Sequence, residues 1–238
     1  MFAGNGYHSS KWRLTDRGRE QAEIAGAWLR ANVATVFDRY YAAEYLRAME
    51  TAAHLGFPEA SWYCEFYLRE RDWGKFDSMT IEQRKRQYAD DMRRRELDRF
   101  FWTPPGGESM AMLCLRIDRV LNTLHRECAD KHVLIVCHGE VMWGFRVRLE
   151  RMSQHRYQEL DYSKDPFDKI HNCQVLHYTR HDPATGLTAP HLNWVRSVCP
   201  WDLTRSRNEW QTIERVRYSN EDLLAVVERT PQLVTGRE

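Results

Sequence analysis

The chain has 238 residues, 42% of them apolar and 29% charged, which excludes a disordered polymer and leaves room for one large folded domain. A formal net charge of +1 excludes a global field that would gather nucleic acid or an anionic membrane. No apolar run approaches the ~20 residues that cross a bilayer, and the N-terminus lacks the charged start and apolar core of a signal peptide.

Arginine (29) far outnumbers lysine (6), which favours bidentate contacts to phosphate or carboxylate wherever an arginine enters a pocket. The six cysteines, Cys64, Cys114, Cys128, Cys137, Cys173 and Cys199, form no CxxC pair. Free thiols in a cytoplasmic protein are the expectation.

Taken in chain order, Thr15 is an N-cap for a helix running to about residue 30, with Ala22, Ala25 and Leu29 on one face. A strand is predicted around residues 33–41, and a helix begins near Leu46. Residues 80–101 read as a charged helical insert. The breaks Pro104-Pro105 and Gly106-Gly107 precede an amphipathic helix opened by Glu108 and Ser109, with Leu113, Ile117, Val120 and Leu124 at helical spacing. His132 to Cys137 is continuously apolar and β-branched, as in a strand buried on both faces of a parallel sheet. A helix follows over 141–150, then strands near 174–178 and 192–198, and a short helix from Ser219. The tail from about residue 230 is expected to be flexible. One α/β domain spanning 1–238 is the economical reading: a three-layer α/β/α sandwich around a mainly parallel central sheet.

The junction Cys137-His138-Gly139-Glu140 is the sharpest chemical feature. A buried strand that ends in a polar residue and a glycine delivers them to the rim where α/β sheets bind ligands. The following helix N-terminus favours an anion there.

Five segments then resemble, in order, the motifs of the histidine phosphatase superfamily, the phosphoglycerate-mutase-like proteins. They are Leu14-Thr15-Asp16-Arg17-Gly18 with Gln21-Ala22, Arg47-Ala48 with Thr51-Ala52, Leu68 with Glu70 and Gly74, Pro105-Gly106-Gly107-Glu108-Ser109, and Cys137-His138-Gly139. The resemblance implies a phosphoglycerate-mutase-like fold and phosphoryl transfer through a phosphohistidine. It makes Glu70 and His138 the catalytic residues, Glu70 protonating the leaving oxygen and His138 donating to the phosphoryl oxygens. Arg47, His138 and Gly139 would bind the phosphate.

The superfamily's first strand ends in Arg-His-Gly and supplies the nucleophilic histidine; nothing in this sequence matches it. His8 lacks the flanking arginine, the glycine and the apolar strand, and reads as a loop histidine. In the superfamily that strand lies mid-sheet beside the strand of the second histidine. Its neighbour here stays fully apolar, so the expectation is an N-terminally truncated chain.

Two departures are smaller. Ala43 stands where a serine usually precedes the arginine motif, and Glu140 places an acid where neutral residues are common. Residues 80–101 and 153–168 are expected to fold over the pocket. Trp73, Phe76, Tyr157 and Tyr162 could line it, although aromatics at such positions more often pack. No metal and no nucleotide cofactor is implied. The expected substrate is a small phosphorylated molecule, with no nucleic-acid or membrane partner and the oligomeric state left open. The leading expectation is a phosphomonoester hydrolase; the alternatives are a phosphoglycerate-type mutase and an inactive phosphate-binding or regulatory module.

Overall fold

The computed structural model describes residues 8–232. Helix α1 (Asp16–Asn32) starts as the sequence predicts, the Thr15 hydroxyl accepting from the Gly18 N–H at 3.1 Å. The strand expected over 33–41 is shorter: β1 is Arg39–Ala42. The amides of Val33 and Ala34 are spent on the Leu29 carbonyl, and that of Phe37 on the Tyr40 hydroxyl. The bonding toward β3 begins only at Asp38, whose N–H donates to the His132 carbonyl at 2.8 Å.

Helix α2 (Leu46–His54) is followed by β2 (Trp62–Cys64) and two 3-10 turns, Phe66–Leu68 and Gly74–Phe76. The charged insert divides at Tyr88 into α3 (Ile81–Gln87) and α4 (Ala89–Leu97). Ser109 caps α5 (Met110–Glu127) through the Met112 N–H. Then come β3 (Val133–Val136), α6 (Gly139–Leu149), α7 (Gln154–Tyr162), β4 (Val175–Thr179), β5 (Trp194–Val198), β6 (Trp210–Thr212) and α8 (Asn220–Val227). β2 and β6 are strands that the sequence does not predict. The expected C-terminal tail lies, from residue 233 on, outside the described residues.

The order β2-β1-β3 makes a parallel sheet, registered Tyr40 to Trp62 and Arg39 to Val133. The order β4-β5-β6 makes an antiparallel one, registered Val175 to Val198 and Trp194 to Thr212. Helix α1 packs on α2, α5 on α6, and α2 on β1 and β3, which gives the three-layer α/β/α arrangement expected. The core includes Leu29, Tyr40, Ala52, Leu113, Ile117 and Val141, each 4% exposed or less.

Among the described residues β3 pairs only with β1, and β4 only with β5. Their outer edges line one cavity of about 740 Å³, walled by the consecutive residues 133–139 on one side and 170–178 on the other. Val133, Leu134 and Ile135 are therefore half-buried, where the sequence predicted a strand covered on both faces. Leu29, Phe145 and Leu192 extend the apolar lining.

Candidate active site

The three parallel strands end at one edge, and their ends set the site. Ala43 follows β1 and donates its N–H to the Val136 carbonyl of β3 at 2.9 Å. Glu65 follows β2 and donates to the Ala42 carbonyl at 2.9 Å. Chain leaving β1, β2 and β3 thus reaches Arg47, Glu70 and His138 at the same rim, and all three line the cavity together with Gly139. The ring of Tyr45 bridges the first and third, its centroid 5.1 Å from His138 and 5.1 Å from the Arg47 guanidinium carbon.

His138 is 6% exposed, and its Nε2 is buried with no hydrogen-bond partner. Burial first, then Arg47 and Arg116, push the imidazole down to about 3, so it is neutral at physiological pH. It also occupies the N-cap of α6 without a side-chain cap bond, which leaves the first N–H groups of that helix uncapped. A Cβ on Gly139 would meet nothing within 4 Å, so this position opens on space and not on protein.

Arg47 is half-buried and donates through Nη1 to the Ser9 carbonyl at 2.6 Å. Burial lowers its pKa, opposed by Glu70, Tyr45 and Asp77. Burial, then the nearby carboxylate of Glu140, pushes Glu70 up to about 7; the Arg71 N–H, 2.9 Å from its Oε1, and Arg47 pull the other way.

The backbone around Glu70 is fixed from the Pro105–Ser109 turn. Glu108 and Arg116 form a buried two-toothed pair (Nε to Oε1 2.9 Å, Nη2 to Oε2 2.8 Å). Arg116 also donates to the carbonyls of Tyr67 and Arg69, and Glu108 accepts from the Asp72 N–H at 3.4 Å. The turn and the Glu70 segment touch backbone to backbone, Glu108 N–H to Asp72 O at 2.8 Å and Lys75 N–H to Pro105 O at 3.0 Å.

Sequence reasoning missed Glu50, the hub that ties the start of α1 to α2. It accepts from Arg13, Arg19 and the Leu14 N–H, which hold its carboxyl down at about 2. No local signal marks it, because its partners lie more than thirty residues away.

His8 is an exposed cap of a 3-10 turn, as expected of a loop histidine. Its ring lies 6.0 Å from that of Tyr45, which in turn lies 5.1 Å from that of His138. Glu140 faces Arg71, Oε2 to Nη1 3.7 Å. The segments expected to cover the pocket are joined to each other, by Arg99 to Asp161 at 2.6 Å and the Tyr162 hydroxyl to the Glu96 carbonyl at 2.6 Å. Phe76 (0% exposed) and Tyr157 (3%) are packed rings, Tyr162 is exposed (42%), and neither these three nor Trp73 line the cavity. Cys137 is pushed up to about 12 by burial, which leaves it no thiolate for nucleophilic work. No group of three or more His, Cys, Asp or Glu among the described residues converges as metal ligands do. None of the described helices is long and apolar enough to cross a membrane.

Fold and site together define an α/β protein with Arg47, Glu70 and His138 gathered at the C-terminal edge of parallel strands. The family profile of the histidine phosphatase superfamily (branch 1) matches residues 7–183, and the chain belongs to that superfamily. The 6-phosphofructo-2-kinase/fructose-2,6-bisphosphatase of Gallus gallus is 29% identical over 157 residues, 66% of this chain and 31% of the relative. The chain thus spans about a third of the length of the curated relatives it first matches. Among solved structures, Bacillus stearothermophilus YhfR has a TM-score of 0.61 at 21% identity, over 76% of this chain and 85% of that one. The α-ribazole phosphatase from Shigella flexneri has a TM-score of 0.56 at 23% identity, over 65% and 75%. Both share the fold.

Proposed function

We propose that this chain hydrolyses a small phosphomonoester, with Arg47, His138 and the N-terminus of α6 holding the phosphoryl group and Glu70 protonating the leaving oxygen. The observation that carries this is the buried, unpartnered Nε2 of His138 on the same cavity wall as Arg47. A buried polar atom without a partner costs free energy unless a ligand supplies one. Arg47 brings a cationic fork suited to phosphoryl oxygens. A carboxyl held near neutrality can give up a proton at working pH, as Glu70 would. The bisphosphatase among the relatives supports a small phosphorylated substrate.

The nucleophile in this reading is a histidine on a further strand seated between β3 and β4, the place of the superfamily's Arg-His-Gly strand. Two strand edges lining one apolar cavity favour such an occupant, since its backbone would satisfy both. The histidine would attack phosphorus, expel the leaving alcohol with the Glu70 proton, and pass the phosphoryl group from phosphohistidine to water.

The test compares the chain alone with the same chain fused behind a strand ending in Arg-His-Gly, on a panel of phosphomonoesters. The expected result is phosphohistidine and hydrolysis in the fused chain. A fused, folded chain that forms neither overturns the reading. Transfer of the phosphoryl group to a second sugar or acid acceptor in place of water would favour the mutase.

A second reading has its own observation: His8 is exposed, caps a 3-10 turn and is not among the residues that line the cavity with His138. On its own, the described chain would bind phosphate without turnover.

A further inference from the structure

Glu140 lies in the first turn of α6, where acids commonly turn outward to face the helix N-terminus. Here its carboxylate faces Arg71, with Oε2 3.7 Å from Nη1. Arg71 is 4% exposed, and its other donors go to backbone carbonyls: Nε to Glu108 at 2.7 Å and Nη2 to Trp102 at 3.3 Å. The backbone N–H of the same residue donates to Glu70 Oε1. One residue therefore joins two carboxyls, Glu70 through its main chain and Glu140 through its side chain.

Apart from Arg47, the surrounding charges are matched. Arg116 of α5 is compensated by Glu108, and Arg47 of α2 faces the cavity. Arg95 of α4 and Asp161 of α7 also act on Glu140, whose carboxyl is raised by burial first; Arg95 pairs with Glu96 at 3.3 Å and Asp161 with Arg99 at 2.6 Å. Among the described residues Glu140 is the carboxylate whose ion pair is with Arg71. With Glu140 ionised, the buried guanidinium is neutralised and Arg71 presents no net positive charge to Glu70. Without it, an uncompensated buried cation would stand beside Glu70, and the cheapest remedy is ionisation of Glu70 itself.

We propose that Glu140 is a positioning residue that keeps Glu70 in its protonated, proton-donating form by occupying Arg71. The proposal rests on reading Glu70 as the leaving-group acid, and its test is made on the chain itself without turnover. Burial and the Glu140 carboxylate both act on Glu70 in this direction.

The experiment is a titration of the carboxyl carbons of 13C-labelled glutamate by NMR, with Glu70 assigned by its loss in Glu70→Gln. Glu140→Gln should lower the Glu70 midpoint by about one pH unit or more, a tenfold fall in its protonated-to-ionised ratio at neutral pH. Glu140→Asp keeps the charge and should retain most of the elevation. An unmoved midpoint in Glu140→Gln overturns the proposal, as does an equal fall in both variants, which would mark a packing role. Should Glu140→Gln fail to fold, the wild-type curve decides: the Glu70 carbon must show a second, smaller inflection where Glu140 titrates, and a single inflection overturns the coupling. Failure of the acid role appears separately, as wild-type turnover by Glu70→Gln in the strand-fused chain.

Discussion

Glu108 and Arg116, eight residues apart at the start of α5, grip the backbone on both sides of Glu70. The guanidinium takes the carbonyls of Tyr67 and Arg69 before it, and the carboxylate takes the Asp72 N–H after it. The pair is nearly inaccessible, at 9% exposure for the Glu108 side chain and 6% for Arg116. Removing one partner leaves the other charge buried and unpaired, so Glu108→Ala and Arg116→Met should each cost about 3–5 kcal/mol in urea unfolding. The double variant should cost less than the sum of the two, because it leaves no orphan charge.

The glycines of the turn are required by contact. Gly74 has φ +51°, and a Cβ there would lie 2.3 Å from the Pro105 carbonyl oxygen; one on Gly107 would lie 2.5 Å from that of Asp72. Gly74→Ala and Gly107→Ala should each destabilise by more than about 1 kcal/mol and displace Glu70, lowering its NMR midpoint toward the ordinary glutamate range. Thermal melts beside that titration check both effects.

Glu70 and His138 give stability opposite pH signatures. Glu70 rises from 4.5 unfolded to about 7 folded, so its contribution is full below pH 4.5 and is lost as pH climbs through 7. His138 falls from 6.5 to about 3, so its contribution is full above pH 6.5 and is lost as pH drops toward 3. The two slopes oppose between pH 4.5 and 6.5. Wild-type minus Glu70→Gln stability should therefore decline with pH between 4.5 and 7. Wild-type minus His138→Asn stability should rise with pH between 3 and 6.5. Urea midpoints at half-unit steps measure both, and a flat difference curve rejects the corresponding assignment.

Arg47 lines the same cavity as His138, whose Nε2 is unpartnered. Arg47→Ala should weaken binding of inorganic phosphate by about 10- to 100-fold, the worth of a hydrogen bond to a charged group. Calorimetry on the chain as it stands measures this. In the strand-fused chain, Arg47→Ala and His138→Ala should each reduce turnover by ~10²-fold, on the scale of removing one fixed donor to a developing anion. A loss of only a few-fold would mean that the pocket lies elsewhere.

The sequence by itself determined the elements whose signals are local. Thr15 and Ser109 start helices because a hydroxyl accepting an N–H three residues on needs no tertiary partner. The apolar run at residues 132–137 declared a strand, and five short motifs in order declared the superfamily with Arg47, Glu70 and His138. Tertiary structure alone decided what depends on distant partners. β1 is short because the amides of residues 33, 34 and 37 are used by Leu29 and Tyr40, and β6 exists because β5 pairs with it. Glu50 became a hub, and Glu140 turned inward to Arg71, through residues far from them in sequence. The cavity between β3 and β4 belongs to the same class. An apolar strand announces that it needs neighbours, but only the folded sheet shows which of its edges has one.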